Sequence, residues 1–260
     1  MNYLVCIKQV PDSTQIKVNA ESGTYDLLNA SSIISPYDKN ALEAAVQLKE
    51  SLGGSVTALT MGSSAVIKAL KECISVGADK AALIEYDLSA NLDAYSTAAL
   101  LSTAIKELGH FDAIFCGKQA TDSDDGQVGP QIAEQLGISQ VTRATKIEMS
   151  DKHAIISRES DEGIQVIDVS LPVLITTCDV INEPRFATIK SKMAANRAKI
   201  EIFHVSDLNP EIKQQEKPDV PLQVIKISVP PKRATNRIKE KTGRESALKL
   251  IKYMLDEKLV

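Results

Sequence analysis

The sequence has no tryptophan, and aromatic residues make up only 4% of its 260 positions. A nucleic-acid surface built on stacked bases is therefore not expected. A net charge of −4 also offers no broad pull toward a phosphate backbone. No apolar run approaches the ~20 residues that span a bilayer, so no membrane insertion is expected. The opening "MNYLVCIKQVPD" has neither the basic start nor the long apolar stretch of a secretion signal, and it reads as the first strand of a cytoplasmic protein. The four cysteines, Cys6, Cys73, Cys116 and Cys178, are dispersed without a C-x-x-C pair. Three lie in apolar strand-like runs, which argues for buried free thiols against disulfides or an iron–sulfur site. His110, His153 and His204 are too scattered for metal-ligand spacing, so no metal site is expected. G-x-S-x-G is missing and no Ser-His-Asp order is readable, so a serine-hydrolase reading has little support.

What is present is ordinary globular material, 43% hydrophobic and 25% charged, enough for one large domain with or without an appendage. Apolar strand-like runs at 3–7, 55–61, 80–86 and 112–117 alternate with helical patterns at 38–53, 63–77, 93–109 and 126–137. Asp38 is the N-cap candidate of the first helix, and Gly53, Gly77, Gly109 and Gly137 stop the four helices. Buried strands alternating with helices of this length predict an α/β fold, a mostly parallel sheet with helices on both faces. From 143 to 178 the pattern becomes short strands with turns at 150–151 and 161–163, which predicts antiparallel strands added to that sheet. A basic segment follows at 182–201 with a weak helical pattern. Pro210, Pro218, Pro221, Pro230 and Pro231 then suggest an extended arm. The arm ends in an amphipathic helix at 243–259 with Leu248, Ile251, Met254 and Leu255 on one stripe.

The chemistry concentrates in "CGKQATDSDDGQVGPQIAEQLG", residues 116–137. This loop leaves the C-terminal end of a parallel strand, where open α/β sheets bind ligands. Gly126 and Gly129 allow close backbone approach, and the N–H groups of Gln127, Val128 and Gly129 at a helix start suit an anion. Asp122, Asp124 and Asp125 sit in the same loop, where they can cap amides, accept from hydroxyls or bind Mg²⁺. The spacing matches neither G-x-G-x-x-G nor G-x-x-x-x-G-K-[ST]. Lys8 and Arg158 fall at strand edges and read as solvated charges.

Several stretches together resemble one family: "VCIKQVPD", "SPYDKNALEAAVQLKE" (35–50), "LTMG" (59–62), the 116–137 loop, "SRESDEGIQVIDVSLPVLITT" (157–177) and "NEPRFATIKSKMAA" (182–195). The chain is similar, from residue 3 to about 203, to the small β subunits of electron-transferring flavoproteins. The resemblance implies a Rossmann-like α/β nucleotide-binding domain over 1–203 and a C-terminal arm and helix, 204–260, that wraps a larger α subunit carrying an FAD. It further implies a second adenine nucleotide in the β subunit. Carried onto matching residues, Cys6 backs the adenine. Ser35, Pro36, Tyr37 and Asp38 form a second wall and Met61 a third. Gly117, Lys118, Gln119, Ala120, Thr121, Asp122, Ser123, Asp124, Asp125, Gly126, Gln127, Val128 and Gly129 wrap ribose and phosphates. Glu159 matches a contact with the α-subunit flavin domain. The 183–203 segment, with Ile189 and Met193, matches a loop that docks partner dehydrogenases.

Within this family the pocket holds either AMP or the ADP half of an FAD. AMP members carry electrons from acyl-CoA dehydrogenases. In FAD members hydride is exchanged with NADH, and electrons are split between ferredoxin and a dehydrogenase. The first group tends to read D-D-D-x-N-Q-T-G-Q in the loop and the second D-G-D-T-x-Q-V-G-P. "TDSDDGQVGP" leans to the second through "VGP" and Ser123, while Asp125 stands where Thr is usual. The expectation is an FAD-binding, bifurcating β subunit, with AMP as the alternative and no side chain acting as acid or base.

Overall fold

The computed structural model describes residues 1–18, 25–26, 30–86, 92–208 and 237–259. The five prolines of the expected arm, Pro210 to Pro231, lie outside them. The described residues fall into two compact units, 1–17 with 25–208 and residue 18 with 237–259.

The chain opens with β1 (Asn2–Cys6), followed by the short strands β2 (Gln9–Pro11), β3 (Lys17–Val18), β4 (Tyr25–Asp26) and β5 (Ser32–Ile34). Then come α1 (Pro36–Leu52), β6 (Ser55–Gly62), α2 (Ile67–Val76), β7 (Lys80–Glu85), α3 (Ala94–Leu108), β8 (Ala113–Gly117) and α4 (Val128–Leu136). The chain continues through β9 (Ser139–Met149), β10 (His153–Ser160), β11 (Gly163–Ser170), β12 (Val173–Thr177), α5 (Ile189–Asn196), β13 (Glu201–His204) and α6 (Val205–Leu208). Nine of these strands make one sheet in the order β11-β10-β9-β12-β8-β1-β6-β7-β13. From β9 to β13 every pairing is parallel, whereas β10 and β11 add antiparallel strands at one edge. This is the α/β architecture that the alternating pattern predicts.

The central strands are buried on both faces, and the period of two sorts their side chains between two cores. Tyr3, Val5, Val56, Ala58 and Phe115 point toward α1 and α2. Leu4, Cys6, Leu59, Ile114 and Cys116 join Ala98, Leu101 and Ile132 of α3 and α4. All four cysteines are buried free thiols. Contact with Cys6 and burial hold the Cys116 thiol well above the ordinary range.

Two sequence expectations change. The first helix starts at Pro36, two residues earlier than expected, with Ser35 in the cap position. A proline at the first helical position has its φ pre-set and loses no useful donor. That frees the Asp38 carboxylate from capping. The edge strand β13, parallel to β7, carries too little apolar pattern to be recognised from sequence.

The second unit holds α7 (Gly243–Asp256), closed at its start by a capping box in which Thr242 and Glu245 bond each other's backbone N–H. None of its residues is buried, and Leu248, Ile251 and Leu255 are exposed.

Candidate functional site

The strand order fixes where a ligand can enter. From β1 the chain crosses by α1 to β6 on one side, while β8 lies on the other. The connections diverge between β1 and β8, and the crevice beyond their carboxyl ends is the switch point of the sheet. Cys6 ends β1, Gly117 ends β8 and Met61 lies near the end of β6.

Asp38 ties this crevice together from the first turn of α1. Its Oδ2 accepts from the Lys8 N–H at 2.8 Å and its Oδ1 from the Gly117 N–H at 2.9 Å, so one carboxylate joins the ends of both strands. Burial pushes the Asp38 carboxyl up from 3.8 to about 7, while the two amides and the Lys8 charge oppose that rise. Gly117 is required by this contact: a Cβ there would stand 2.6 Å from Asp38 Oδ1 and from Tyr37 Cβ. Gly129 has a similar reason, since a Cβ would stand 2.9 Å from the Thr176 methyl, where α4 packs on β12.

The loop between Gly117 and α4 is mostly exposed beyond Thr121. Two of its aspartates bond side chains instead of capping amides. Asp122 is held by Lys8, whose Nζ is 2.8 Å from each carboxylate oxygen. Asp124 adopts a left-handed φ of 55° and accepts from Gln119 Nε2 at 3.0 Å. Lys118 lies over the Tyr37 ring, 4.7 Å from its centroid. Lys8 is thus a partnered cation instead of a solvated one.

Three features of the crevice suit a phosphorylated ligand. The Ser35 hydroxyl is fully buried and has no partner among the described residues, a polar group left for a ligand. The glycine at 117 brings backbone to the crevice without a side chain. The α4 start at Val128 presents amide donors beside them. Among the described residues no group of three His, Cys, Asp or Glu could hold a metal, and no helix is long and apolar enough to cross a membrane.

Glu159 belongs to a neighbouring cluster at the end of β10. Arg143 Nη2 is 3.4 Å and Cys178 Sγ 3.5 Å from its Oε2. Arg143 was not singled out from sequence. It sits in a bulge where β9 carries an extra residue against β12, with a φ of 60°. Arg158, read as solvated, instead bonds Thr142 O and Oγ1 at 2.9 Å and Gln165 at 3.1 Å, bracing β9, β10 and β11.

The third feature is the segment leading into α5. Arg185 bonds both Glu43 and Glu50 of α1, and the Asn182 and Asn40 side chains exchange bonds with each other's backbone. On that base Phe186 is 97% exposed, Ile189 82% and Met193 59%. Phe186 was missed in the sequence; its signal is a lone aromatic in a basic, polar stretch. A groove of about 1080 Å³ runs beside it between α1, α2 and α5, with an apolar floor that includes Leu42 and Val46 and a rim that includes Lys68, Lys71 and Lys192.

Comparison with known proteins places the chain in a family. The electron transfer flavoprotein domain matches residues 23–208. An electron transfer flavoprotein subunit beta of Thermoanaerobacterium thermosaccharolyticum is 40% identical over 231 residues, 88% of either chain. One of the same name from Clostridium acetobutylicum is 33% identical over 99% of both chains. The caffeyl-CoA reductase-Etf complex subunit CarD of Acetobacterium woodii is 39% identical over 81% of this chain and 82% of its own.

Proposed function

The chain belongs to the electron transfer flavoprotein family as a β subunit, and from that premise we propose that its switch-point crevice binds the ADP half of an FAD in an electron-bifurcating complex. The observation that carries this is the Asp38 tie between β1 and β8, which builds a side-chain-free ledge at Gly117 beside the start of α4. In this reading the amides of Gln127, Val128 and Gly129 hold phosphates, so no basic phosphate clamp is needed. Cys6 and Met61 border the adenine, and the Ser35 hydroxyl gains a partner. The chemistry supplied by a bound flavin is hydride exchange with NADH and the splitting of two electrons between ferredoxin and a dehydrogenase. The chain's residues fix its position.

The loop "VGP" supports FAD, and the relative named as a subunit of a caffeyl-CoA reductase complex supports service to an acyl-CoA-type reductase or another flavin dehydrogenase. The exposed Ile189 and Met193 offer the docking surface for that enzyme. Glu159 faces the flavin domain of the α subunit, and the arm 204–260 with its apolar α7 stripe grips that subunit. The site of action is the cytoplasm. Asp125 favours the second reading, a structural AMP in the same crevice with electrons carried from acyl-CoA dehydrogenases.

Acid release and quantification of nucleotides from the purified complex decides between them. Two FAD per heterodimer is expected. One FAD with one AMP overturns bifurcation, and a single FAD with no second nucleotide overturns the crevice reading.

A further inference from the structure

Lys8 is the residue that the nucleotide reading leaves without a task. Its main chain is held on both sides, the N–H by Asp38 at 2.8 Å and the carbonyl by the Ser35 N–H at 2.9 Å. Its side chain, 48% exposed, reaches from the end of β1 to the loop after β8 and ends on both oxygens of Asp122. The ion pair therefore crosses the switch point. The loop carries Asp122, Asp124 and Asp125, while Lys118, the loop's own lysine, is turned to the Tyr37 ring and to Asp179 at 3.9 Å. An incoming diphosphate adds two or more negative charges to that loop.

Resting on the nucleotide reading above, we propose that Lys8 is a positioning residue that acts through Asp122. It holds the carboxylate to the β1 side of the crevice and cancels its charge, so that the loop accepts an anionic diphosphate instead of repelling it. Lys8 thereby sets preference for phosphorylated adenosine over the bare nucleoside. A half-exposed pair of this kind contributes little to folding, which separates its role from that of buried Asp38. At a few ångströms, uncompensated like charges near a protein surface are worth at least a tenfold change in binding.

The test uses the full chain with the α subunit that copurifies, stripped of nucleotide by dialysis against chaotrope and titrated calorimetrically with ADP and with adenosine. Lys8→Met is expected to weaken ADP about tenfold and adenosine less than about twofold. Lys8→Met with Asp122→Asn should regain most of the loss, and Lys8→Arg should bind as the unaltered protein does. Unchanged ADP binding in Lys8→Met overturns the inference, as does equal weakening of both ligands or a double variant no better than the single one. Each of these leaves the nucleotide site standing. Unaltered protein that takes up neither ligand overturns the nucleotide reading, and this inference with it.

Discussion

The switch-point crevice and the segment around Phe186 solve opposite problems with similar anchors. Each is fixed by a buried acidic residue of α1, Asp38 in one and Glu43 in the other. Asp38 faces two backbone amides, and the result is a ledge stripped of side chains. Glu43 faces an arginine, and the result is a platform that pushes large apolar side chains into solvent. A small ligand of fixed shape is held by preorganised backbone, because amide donors that do not move need no reordering on binding. A transient protein contact needs exposed apolar anchors on a rigid base, because only surface that starts wet gains by burial.

The largest effect should come from breaking the crevice anchor. Asp38→Ala leaves the part-buried Lys8 and Gly117 amides without their acceptor, and a donor left unsatisfied costs about 1–3 kcal/mol. Relief of a buried charge offsets part of this, so a net loss near 3 kcal/mol is expected by denaturant unfolding at pH 7, with loss of bound nucleotide. A loss below about 0.5 kcal/mol would remove Asp38 from the centre of the site.

The same carboxyl gives a pH signature of unusual sign. Because burial raises it from 3.8 to about 7, the folded chain keeps its proton between those values while the unfolded chain releases it. The folded state then binds more protons, so stability from this group is present at about pH 4 and is lost as pH rises toward 7. The slope is at most about 1.4 kcal/mol per pH unit. Asp38→Asn should lack this component. The stability difference between unaltered protein and variant should therefore grow on acidification from pH 7 to 4, and parallel curves would refute the assignment.

Much of the fold was legible because the central strands are apolar throughout and the helices carry glycine stops. The loop at 116–137 was legible for the same reason: an apolar strand, glycines and a helix start are local signals. Asp38 was placed in the nucleotide wall only by family resemblance. Its reading as an N-cap failed because its partners, Lys8 and Gly117, lie 30 and 79 residues away. Arg143 was hidden likewise, since a bulge arises from pairing two strands and leaves no mark on either one. Phe186 was passed over because a lone aromatic in a basic stretch does not show which way it faces; that is fixed by Arg185, which bonds Glu43 and Glu50 far back in the chain.

Breaking the docking platform should cost less than breaking the crevice. Arg185→Ala strips Glu43 of its guanidinium, but the Gln47 amide at 2.8 Å and the residue 185 N–H at 3.2 Å remain. A stability loss of about 2 kcal/mol is expected from a buried carboxylate left half-paired, read by denaturant unfolding. A loss as large as that of Asp38→Ala would erase the distinction between the two anchors.

Phe186→Ser should do least to the fold and still matter to function. At 97% exposure the ring has almost nothing to lose on substitution, and stability should stay within about 0.5 kcal/mol. If the ring is instead an anchor for a partner, the cost appears only on docking. The KM for the partner dehydrogenase should rise about tenfold with kcat nearly unchanged, as for loss of one aromatic anchor worth 1–2 kcal/mol. Arg185→Ala should raise the same KM by loosening the platform, so the pair separates anchor from base: one variant loses docking alone, the other docking and stability together. Should Phe186→Ser destabilise the chain as much as Arg185→Ala, the ring would be packing material and not a docking residue. The contrast between ledge and platform would then fail at its exposed end.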